Sequence, residues 1–332
     1  MNFCGIDVGA QELVLEVRQE AKAGAVRRFD NTPAGHKALI QHLRGYGQQP
    51  IRVCLEATGN YSLDIALALS ACPQIELEVI NPKAAHRFAE ALDQRSRNDP
   101  ISAGLLAEYA MRMPFVHWDP PSTQRLQLRA ITRQITALTQ DRAALRCRLH
   151  AARATDSVPA CVTRELNRAI AQLDRSLVRL TQEALQLVRQ DAALQRRFQL
   201  LDSPKGIGSA TALVLLGELM IAGDRSAREL TKHAGLDVVE CSSGTSVHKK
   251  PHISHAGNQY LRKALFMSAL SAAHHEPYLR AFYQRLLVAG KKKMQALVAV
   301  MRKLLHAIVG MFKHDRLYDG ALLCPPSLEK VA

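Results

Sequence analysis

The sequence lacks the residue patterns that mark several common protein classes. Its seven cysteines are scattered without any Cys-x-x-Cys spacing, which argues against a zinc site or a disulfide framework and suits a reducing compartment. No apolar run approaches the ~18 to 20 residues of a membrane span, and the N-terminus lacks the basic region of a secretory signal peptide. Aromatic residues make up only 5% of the chain, so base-stacking platforms are not expected to be the main binding mode.

Positive charge is what the chain has in excess, and the excess is uneven. Lys plus Arg number 44 against 30 Asp plus Glu, a net charge of +14. Residues 1–120 hold 12 basic and 14 acidic side chains, whereas residues 243–316 hold 13 basic and two acidic ones. A basic C-terminal half indicates a polyanionic partner. Nucleic acid is favoured over a membrane surface because no basic amphipathic anchor or lipidation motif is present.

The N-terminal third alternates strand and helix patterns. In residues 1–118 three meandering strands precede β-α-β-α units, which predicts a mixed-sheet α/β domain. Residues 119–195 are predicted to be helical. An unbroken heptad seam from Leu166 to Leu187 favours a coiled coil that joins copies of the chain. A helical hairpin within one chain is the alternative, because two seams joined by a short turn can pair with each other.

The C-terminal part predicts a mostly helical domain over residues 196–318, followed by a tail over residues 319–332. Between its helices, residues 240–255 are polar and lack apolar periodicity. This stretch is predicted to be a long loop, and a loop of such length is more often functional than a mere connection.

Three acids stand where a metal site is expected. Asp7 and Glu56 each close an apolar strand, and Asp99 opens a helix just before a proline. Acids at the carboxyl ends of adjacent parallel strands can converge, and carboxylates suit hard cations such as Mg²⁺. Two such ions can hold the attacking and leaving oxygens of a phosphodiester. A plain helix-capping role for Asp99 is the alternative.

The polar loop contains Ser242, Ser243 and Ser246 around a glycine, followed by Lys249 and Lys250. Nearby cations can stabilise a serine alkoxide and the negative charge that develops on a phosphate during attack. From these residues alone, a flexible loop without chemistry is the alternative.

Further basic residues are candidates for contacts with nucleic-acid phosphates, with solvated surface as the alternative for each of them. Together with the two lysines of the polar loop, they form the predicted nucleic-acid-binding set: Lys249, Lys250, Arg262, Lys263, Lys291, Lys292, Lys293, Arg302 and Lys303.

Taken in order, the motifs resemble the DEDD transposases, insertion-sequence recombinases guided by a bridge RNA, with the Piv invertase as a relative. The resemblance spans about residues 2–315 and rests on these segments in this order: GIDVG, LEATGNY, VINP, SPKGIG, AGL, SSGTSV, SHAGNQYLRKALF and MRKLLHA. It implies a RuvC-like (RNase H-like) α/β domain, an α-helical coiled coil, and a mostly α-helical transposase domain that carries a catalytic serine.

By this resemblance Asp7, Glu56 and Asp99 match three of the four family acids, and Ser243 matches the serine. Ser102 stands where the fourth acid belongs. A hydroxyl is a poorer Mg²⁺ ligand than a carboxylate, so this departure weakens the expected metal site.

The function implied is that of a site-specific DNA recombinase or transposase. Ser243 attacks a phosphodiester, and a Mg²⁺-binding acid cluster assists it. The implied partners are DNA, a structured guide RNA and further copies of the chain, as a dimer or tetramer, with no membrane. The implied location is the bacterial cytoplasm, with the nucleoid. Two alternatives stay open: a metal-dependent nuclease resembling a Holliday-junction resolvase, and a binding protein that has lost catalysis.

Overall fold

The computed structural model divides the chain into two compact units, Met1–Pro120 and Pro121–Ala332. The residues that the structure describes are 1–19, 22–47, 49–94, 98–243 and 247–323.

A six-stranded sheet forms the centre of the first unit. Its strands are β1 (Asn2–Val8), β2 (Glu12–Gln19), β3 (Lys22–Ala23), β4 (Arg27–Asp30), β5 (Ile51–Glu56) and β6 (Ile75–Ile80). Strand β1 pairs antiparallel with β2 and parallel with β5, and β5 pairs parallel with β6. Both β3 and β4 pair antiparallel with β2. The predicted mixed α/β sheet is therefore confirmed, with its antiparallel and parallel parts joined at β1.

Helices cover both faces of this sheet: α1 (Pro33–Arg44), α2 (Leu63–Ser70), α3 (Pro82–Ala91) and α4 (Asp99–Arg112). On one face, alternate residues of β1 such as Cys4 and Ile6 pack in a core with α1 and α2. On the other face α4 lies directly on β1. A Cβ atom on Gly5 would overlap the backbone of Ala103 and Ala107, so the glycine permits this close approach.

The second unit is mostly helical, as predicted. Its helices are α5 (Thr123–Ala152), α6 (Ala160–Arg189), α7 (Ala192–Asp202), α8 (Ser209–Ala222), α9 (Ala227–His233), α10 (Gln259–His275), α11 (Pro277–Val288), α12 (Lys293–His314) and α13 (Gly320–Leu323). Helix α8 contributes ten buried residues. They belong largely to a single core that α10 and α12 share.

Helices α5 and α6 pack against each other as an antiparallel hairpin. Gln124 at the start of α5 donates to the carbonyl of Leu187 at the end of α6, at 2.8 Å. Further along, Arg142 binds Asp174 at 2.8 Å. The heptad seam of α6 therefore has a partner within its own chain, which is the alternative that the sequence left open. Association of copies through the seam stays a prediction.

The polar stretch near residue 240 is not an open loop. It forms an antiparallel hairpin of β7 (Val238–Ser243) and β8 (Val247–Ile253). The expectation of a long unstructured loop is wrong, because an isolated two-stranded ribbon leaves much of its surface in solvent and so needs no apolar alternation.

Among the described residues, one helix, α12, is long and apolar enough to cross a membrane by length and composition, which the sequence reading did not anticipate. Nine of its residues are buried in the second unit. A core helix of a folded domain passes the same length and composition test.

Candidate active site and nucleic-acid interface

Asp7 and Glu56 lie side by side at the carboxyl ends of two paired parallel strands. The parallel register matches Ile6 with Leu55, so Asp7 and Glu56 are the next residues along each strand. Successive side chains of a strand point to opposite faces. Both acids therefore lie on the face of the sheet that α4 covers, because Gly5 also faces that helix.

Asp99 is the first residue of α4, but it does not cap the helix. Asn98 is the N-cap, and its side chain accepts from the backbone N–H of Ile101 at 3.0 Å. The Asp99 carboxylate is exposed and stands at the positive end of the helix dipole, where a negative charge is favoured. Ser102 is half-buried in the same first turn. The capping alternative for Asp99 is therefore wrong.

The charges of the three acids act on one another at Asp7. Burial, together with the negative charges of Asp99 and Glu56, raises the pKa of the Asp7 carboxyl from its ordinary value of 3.8 to about 6. Repulsion between nearby carboxylates favours the protonated form of one of them. The structure therefore brings together the three acids that the sequence singled out.

The donor chemistry of these acids fits a hard divalent cation. Among the residues that the structure describes, no three His, Cys, Asp or Glu side chains are close enough to hold a metal ion between them. Mg²⁺ is usually bound by only one or two carboxylates, with waters and substrate phosphates completing its shell. A cation beside Asp7 would also relieve the repulsion that raises its pKa.

Sequence reasoning missed a fourth acid on this face. Glu78 in β6 pairs in register with Cys54, is only 4% exposed, and has its pKa raised by burial. Burial raises the pKa of the Cys54 thiol, and the negative charges of Glu78 and Glu56 raise it as well. The sequence signal for this buried acid was the second glutamate of the apolar run IELEVI, which occupies a core-facing position of the strand.

Ser243 ends strand β7, where its backbone pairs with Val247 across the hairpin turn. Ser242 precedes it in the same strand and pairs with His248, whereas Ser246 lies outside the described residues. The predicted nucleophile Ser243 therefore has a second serine directly beside it in the chain, near the tip of a hairpin.

Two motifs fasten the stem of this hairpin. The segment around Gly235 lies beside the segment around Gly257: the N–H of Asn258 donates to the carbonyl of His233 at 2.7 Å, and the N–H of His255 donates to Gly235 at 3.2 Å. A Cβ atom on Gly257 would overlap the His233 carbonyl. The AGL and SHAGN motifs therefore hold the base of the serine hairpin.

An ion pair with a buried carboxylate ties the same stem to the long helical hairpin. Glu218 of α8 is buried and binds Arg133 of α5 through two contacts of 2.6 and 3.0 Å. Its carboxylate also accepts from the side chain of Asn258 at 2.6 Å. The start of α10 is thus fixed to α5 and α8 through one carboxylate, both oxygens of which accept hydrogen bonds.

The predicted phosphate-binding residues separate into groups. Lys291, Arg302 and Lys303 line one cavity. Lys263 lines a different, smaller one. Arg262 instead donates to the backbone carbonyl of Ala234 at 2.9 Å.

The remaining lysines of the set lie at the start of α12 or in the hairpin. Lys292 is the N-cap of α12, and Lys293 is its exposed first residue. Lys249 and Lys250 belong to β8, and their side chains lie outside the described part of the structure.

Two regions of the chain match family models. A DEDD transposase model of the IS110 group, described as Transposase, matches residues 4–152. A second model, described as Transposase IS116/IS110/IS902 family, matches residues 198–284. The three acids fall in the first region and Ser243 in the second.

Proteins with similar sequences cover most of the chain. It is 29% identical over 300 residues to the pilin gene-inverting protein of Moraxella bovis, covering 88% of this chain and 89% of that protein. It is 30% identical over 299 residues to the pilin gene-inverting protein of Moraxella lacunata, with the same coverage. It is also 31% identical over 177 residues to an uncharacterized 43.6 kDa protein of insertion element IS110 from Streptomyces coelicolor, covering 51% of this chain and 42% of that protein.

Among solved structures, the fowlpox virus Holliday junction resolvase matches 33% of this chain and 96% of its own, with 15% identity and a TM-score of 0.24.

Proposed function

The chain belongs to the IS110 family of DEDD transposases, and we propose that it is an insertion-sequence recombinase that cuts and rejoins DNA through a phosphoserine intermediate. The observation that carries the proposal is the acid cluster, in which the charges of Glu56 and Asp99 both act on Asp7. The same chain carries Ser243 near the tip of a hairpin in a strongly basic domain.

The acids supply the metal-binding half of the chemistry. Asp7 and Glu56 extend from adjacent strand ends, and Asp99 lies at the start of the helix packed against them. One or two of these carboxylates would hold Mg²⁺ directly, and the remaining acid would act on the ion through water. When bound there, the ion would neutralise phosphate charge and favour the ionised form of an attacking hydroxyl. Ser102 offers only a hydroxyl at the fourth position, so water has to complete the ligand shell.

Ser243 supplies the nucleophile. Its Oγ forms a bond to the phosphorus of a DNA phosphodiester while the bond from phosphorus to one sugar oxygen breaks. The serine proton is transferred away and the departing sugar oxygen takes up a proton. A DNA hydroxyl then attacks the phosphoserine and releases Ser243. Because one phosphoester bond replaces another at each step, rejoining requires no ATP.

Guidance and assembly complete the proposal. The resemblance implies a structured non-coding RNA as guide, and the positive charge of residues 243–316 supports a nucleic-acid partner. We propose a homo-oligomer, a dimer or tetramer, in which the acid cluster of one copy serves the serine of another. Oligomer formation would then control cleavage.

Asp7→Asn tests the role of the acids. Wild-type protein with Mg²⁺, labelled DNA from an element end and the RNA transcribed beside the gene should give a protein–DNA band that survives denaturation. We expect Asp7→Asn to reduce that band on the order of a hundredfold or more, the scale of losing one charge-stabilising group. DNA binding, measured by anisotropy, should persist, because the basic surface lies in the other unit.

Asp119→Asn is the matched control, since the Asp119 side chain is 93% exposed at the end of the first unit. It should keep the full band. An Asp7→Asn protein that still forms the adduct at the wild-type rate would remove the acid cluster from the mechanism.

The pKa of Asp7 gives a pH-dependent expectation for metal binding. Below about pH 6 a proton occupies the carboxyl group that the cation needs. Mg²⁺ should therefore raise the melting temperature of the wild type by several degrees at pH 8 and by little at pH 5. Ser102→Asp should enlarge the shift at pH 8, because it restores a fourth carboxylate. Equal shifts at both pH values would contradict a metal site at Asp7.

Without metal, the Asp7 carboxyl makes the folded state less stable as the pH rises. The folded state holds the Asp7 proton more tightly than the unfolded chain does, so this group's contribution to stability is lost as the pH rises from about 4 to about 6. Asp7→Asn should abolish both this pH dependence and the metal shift. Glu78, whose pKa is also raised, is present in both proteins, so the difference between them isolates Asp7.

A further inference from the structure

A cavity of about 890 Å³ lies in the second unit between the stem of the β7–β8 hairpin and helix α12. Apolar side chains form much of its wall, among them Ile253 of β8, Leu286 of α11, and Val298 and Ala299 of α12. A volume of this size accepts a ligand as large as a nucleotide. Neither the acid cluster nor the serine chemistry makes use of this cavity.

Cations surround the apolar wall. Lys291, Arg302 and Lys303 line the cavity together with three histidines, and none of the lining residues that the structure describes is acidic. Lys303 is held in place above the ring of Phe282, with Nζ 5.0 Å from the ring centroid. Cations on the lining of the cavity favour an anionic ligand, and the apolar wall favours a ligand of which one part is uncharged.

We propose that this cavity receives an unstacked base of a bound nucleic-acid strand, while Lys291, Arg302 and Lys303 hold the phosphates that flank it. The inference rests on the proposed function and adds to it a specific binding position. A base has an apolar face and polar edges, and its backbone carries one negative charge per nucleotide. These two properties match the wall and the cations respectively.

His306 provides a hydrogen-bonding group in the same cavity. Its Nε2 lies 3.3 Å from the hydroxyl of Thr231, and that hydroxyl donates its own proton to the carbonyl of Ala227. The Thr231 oxygen therefore accepts from Nε2–H, which leaves Nδ1 as an acceptor. Burial and the charges of Arg302 and Lys303 lower the pKa of His306, so at neutral pH the ring is uncharged and able to accept from a base amino group.

The cavity lies at a defined separation from the proposed nucleophile. Val238 at the stem lines it, and Ser243 ends the same strand five residues later. At about 3.4 Å per residue this is roughly 17 Å along the strand, about five base steps of a duplex. An unstacked base held here would fix the register of the strand relative to Ser243.

Filling the cavity tests the proposal. The probes are single-stranded DNA and RNA oligonucleotides that carry 2-aminopurine, whose fluorescence rises when the base leaves the stack. Ala299→Phe should lower the affinity about tenfold, the scale of one stacked base, and should abolish the fluorescence rise. The salt dependence of binding should stay unchanged, because no charge is lost. Arg302→Ala should instead reduce the salt slope by about one.

The matched control is Ala289→Phe, which places the same side chain at an exposed position just beyond α11. It should bind as the wild type does. Unchanged affinity and unchanged fluorescence in Ala299→Phe would overturn the proposal. An Ala299→Phe protein that changes only its oligomeric state would assign the cavity to a protein segment instead, and would also overturn it.

Comparing the RNA and DNA probes identifies which nucleic acid supplies the unstacked base. A fluorescence rise with RNA alone would assign the cavity to the guide, and a rise with DNA alone would assign it to the substrate. The adduct assay keeps this test apart from the proposed function. If the protein unstacks the probe but forms no phosphoserine, the base-binding cavity is supported and the recombinase mechanism is contradicted. If it forms the phosphoserine but does not unstack the probe, the mechanism is supported and the base-binding cavity is contradicted.

Discussion

Ser243→Ala should abolish the covalent protein–DNA adduct and leave DNA binding almost unchanged. Only a hydroxyl is removed, and the basic residues of the second unit remain. Loss of a covalent nucleophile commonly costs more than about a thousandfold in rate, so no band should be seen above background. The measurement is a denaturing gel of labelled DNA, with anisotropy on the same samples to confirm binding.

Ser242→Ala is the natural control. It precedes Ser243 in β7 and carries the same hydroxyl one residue away. The Ser242→Ala protein should keep the adduct. If the adduct survives in Ser243→Ala but disappears in Ser242→Ala or Ser246→Ala, the nucleophile is reassigned to that serine.

A different outcome would change the class of enzyme. If the wild type cuts DNA efficiently but forms no adduct, water is the nucleophile and the protein acts as a metal-dependent nuclease. In that case Ser243→Ala should cut at the wild-type rate, whereas Asp7→Asn should remain inactive.

The acid cluster was predictable because its signals are local. Short apolar runs that end in Asp7 and Glu56 specify two strands, and β5 and β6 are buried along most of their length, as strands of a sheet covered on both faces are. Asp99 follows a residue suited to helix capping, and only the structure shows that Asn98 takes that role. Parallel pairing of β1 with β5 then places the acids together.

The serine hairpin was not predictable from its own residues. Its strands are polar, and Val238 in β7 is largely exposed, so neither face shows the apolar alternation that predicts a strand. The contacts that hold it are distant in sequence, between the segments around Gly235 and Gly257. Arg262 was predicted to contact phosphates for the same reason: its partner in the structure, the carbonyl of Ala234, lies 28 residues away in the sequence.

The long helices show that an apolar seam can be predicted correctly while the surface it packs against is not. The spacing of leucines in α6 specifies an apolar seam, but a seam does not encode whether it packs on its own chain or on another copy. Here it packs on α5. Leu177 and Ala184 are buried there, while Leu166, Ile170 and Leu173 remain only half-buried. Leu180 and Leu187 are half-buried as well, so both halves of the seam still have apolar surface to cover.

Replacing both Leu173 and Leu180 with Asp should convert the protein from an oligomer to a monomer. Both side chains are half-buried within one chain, and a second copy would bury them further. A charge placed in such an interface carries a large desolvation penalty. Light scattering should give the mass of one chain for the variant and at least twice that for the wild type.

Val178→Asp is the control on the same helix, because Val178 lies off the seam and is 58% exposed. It should remain an oligomer with the wild-type circular dichroism. The double variant should also keep its helical signal, since Leu177 and Ala184 still hold α6 against α5. A double variant that stays oligomeric would move the interface to another surface. A double variant that loses its helical signal would show that both leucines serve the hairpin's own core, and would leave the seam without a role in assembly.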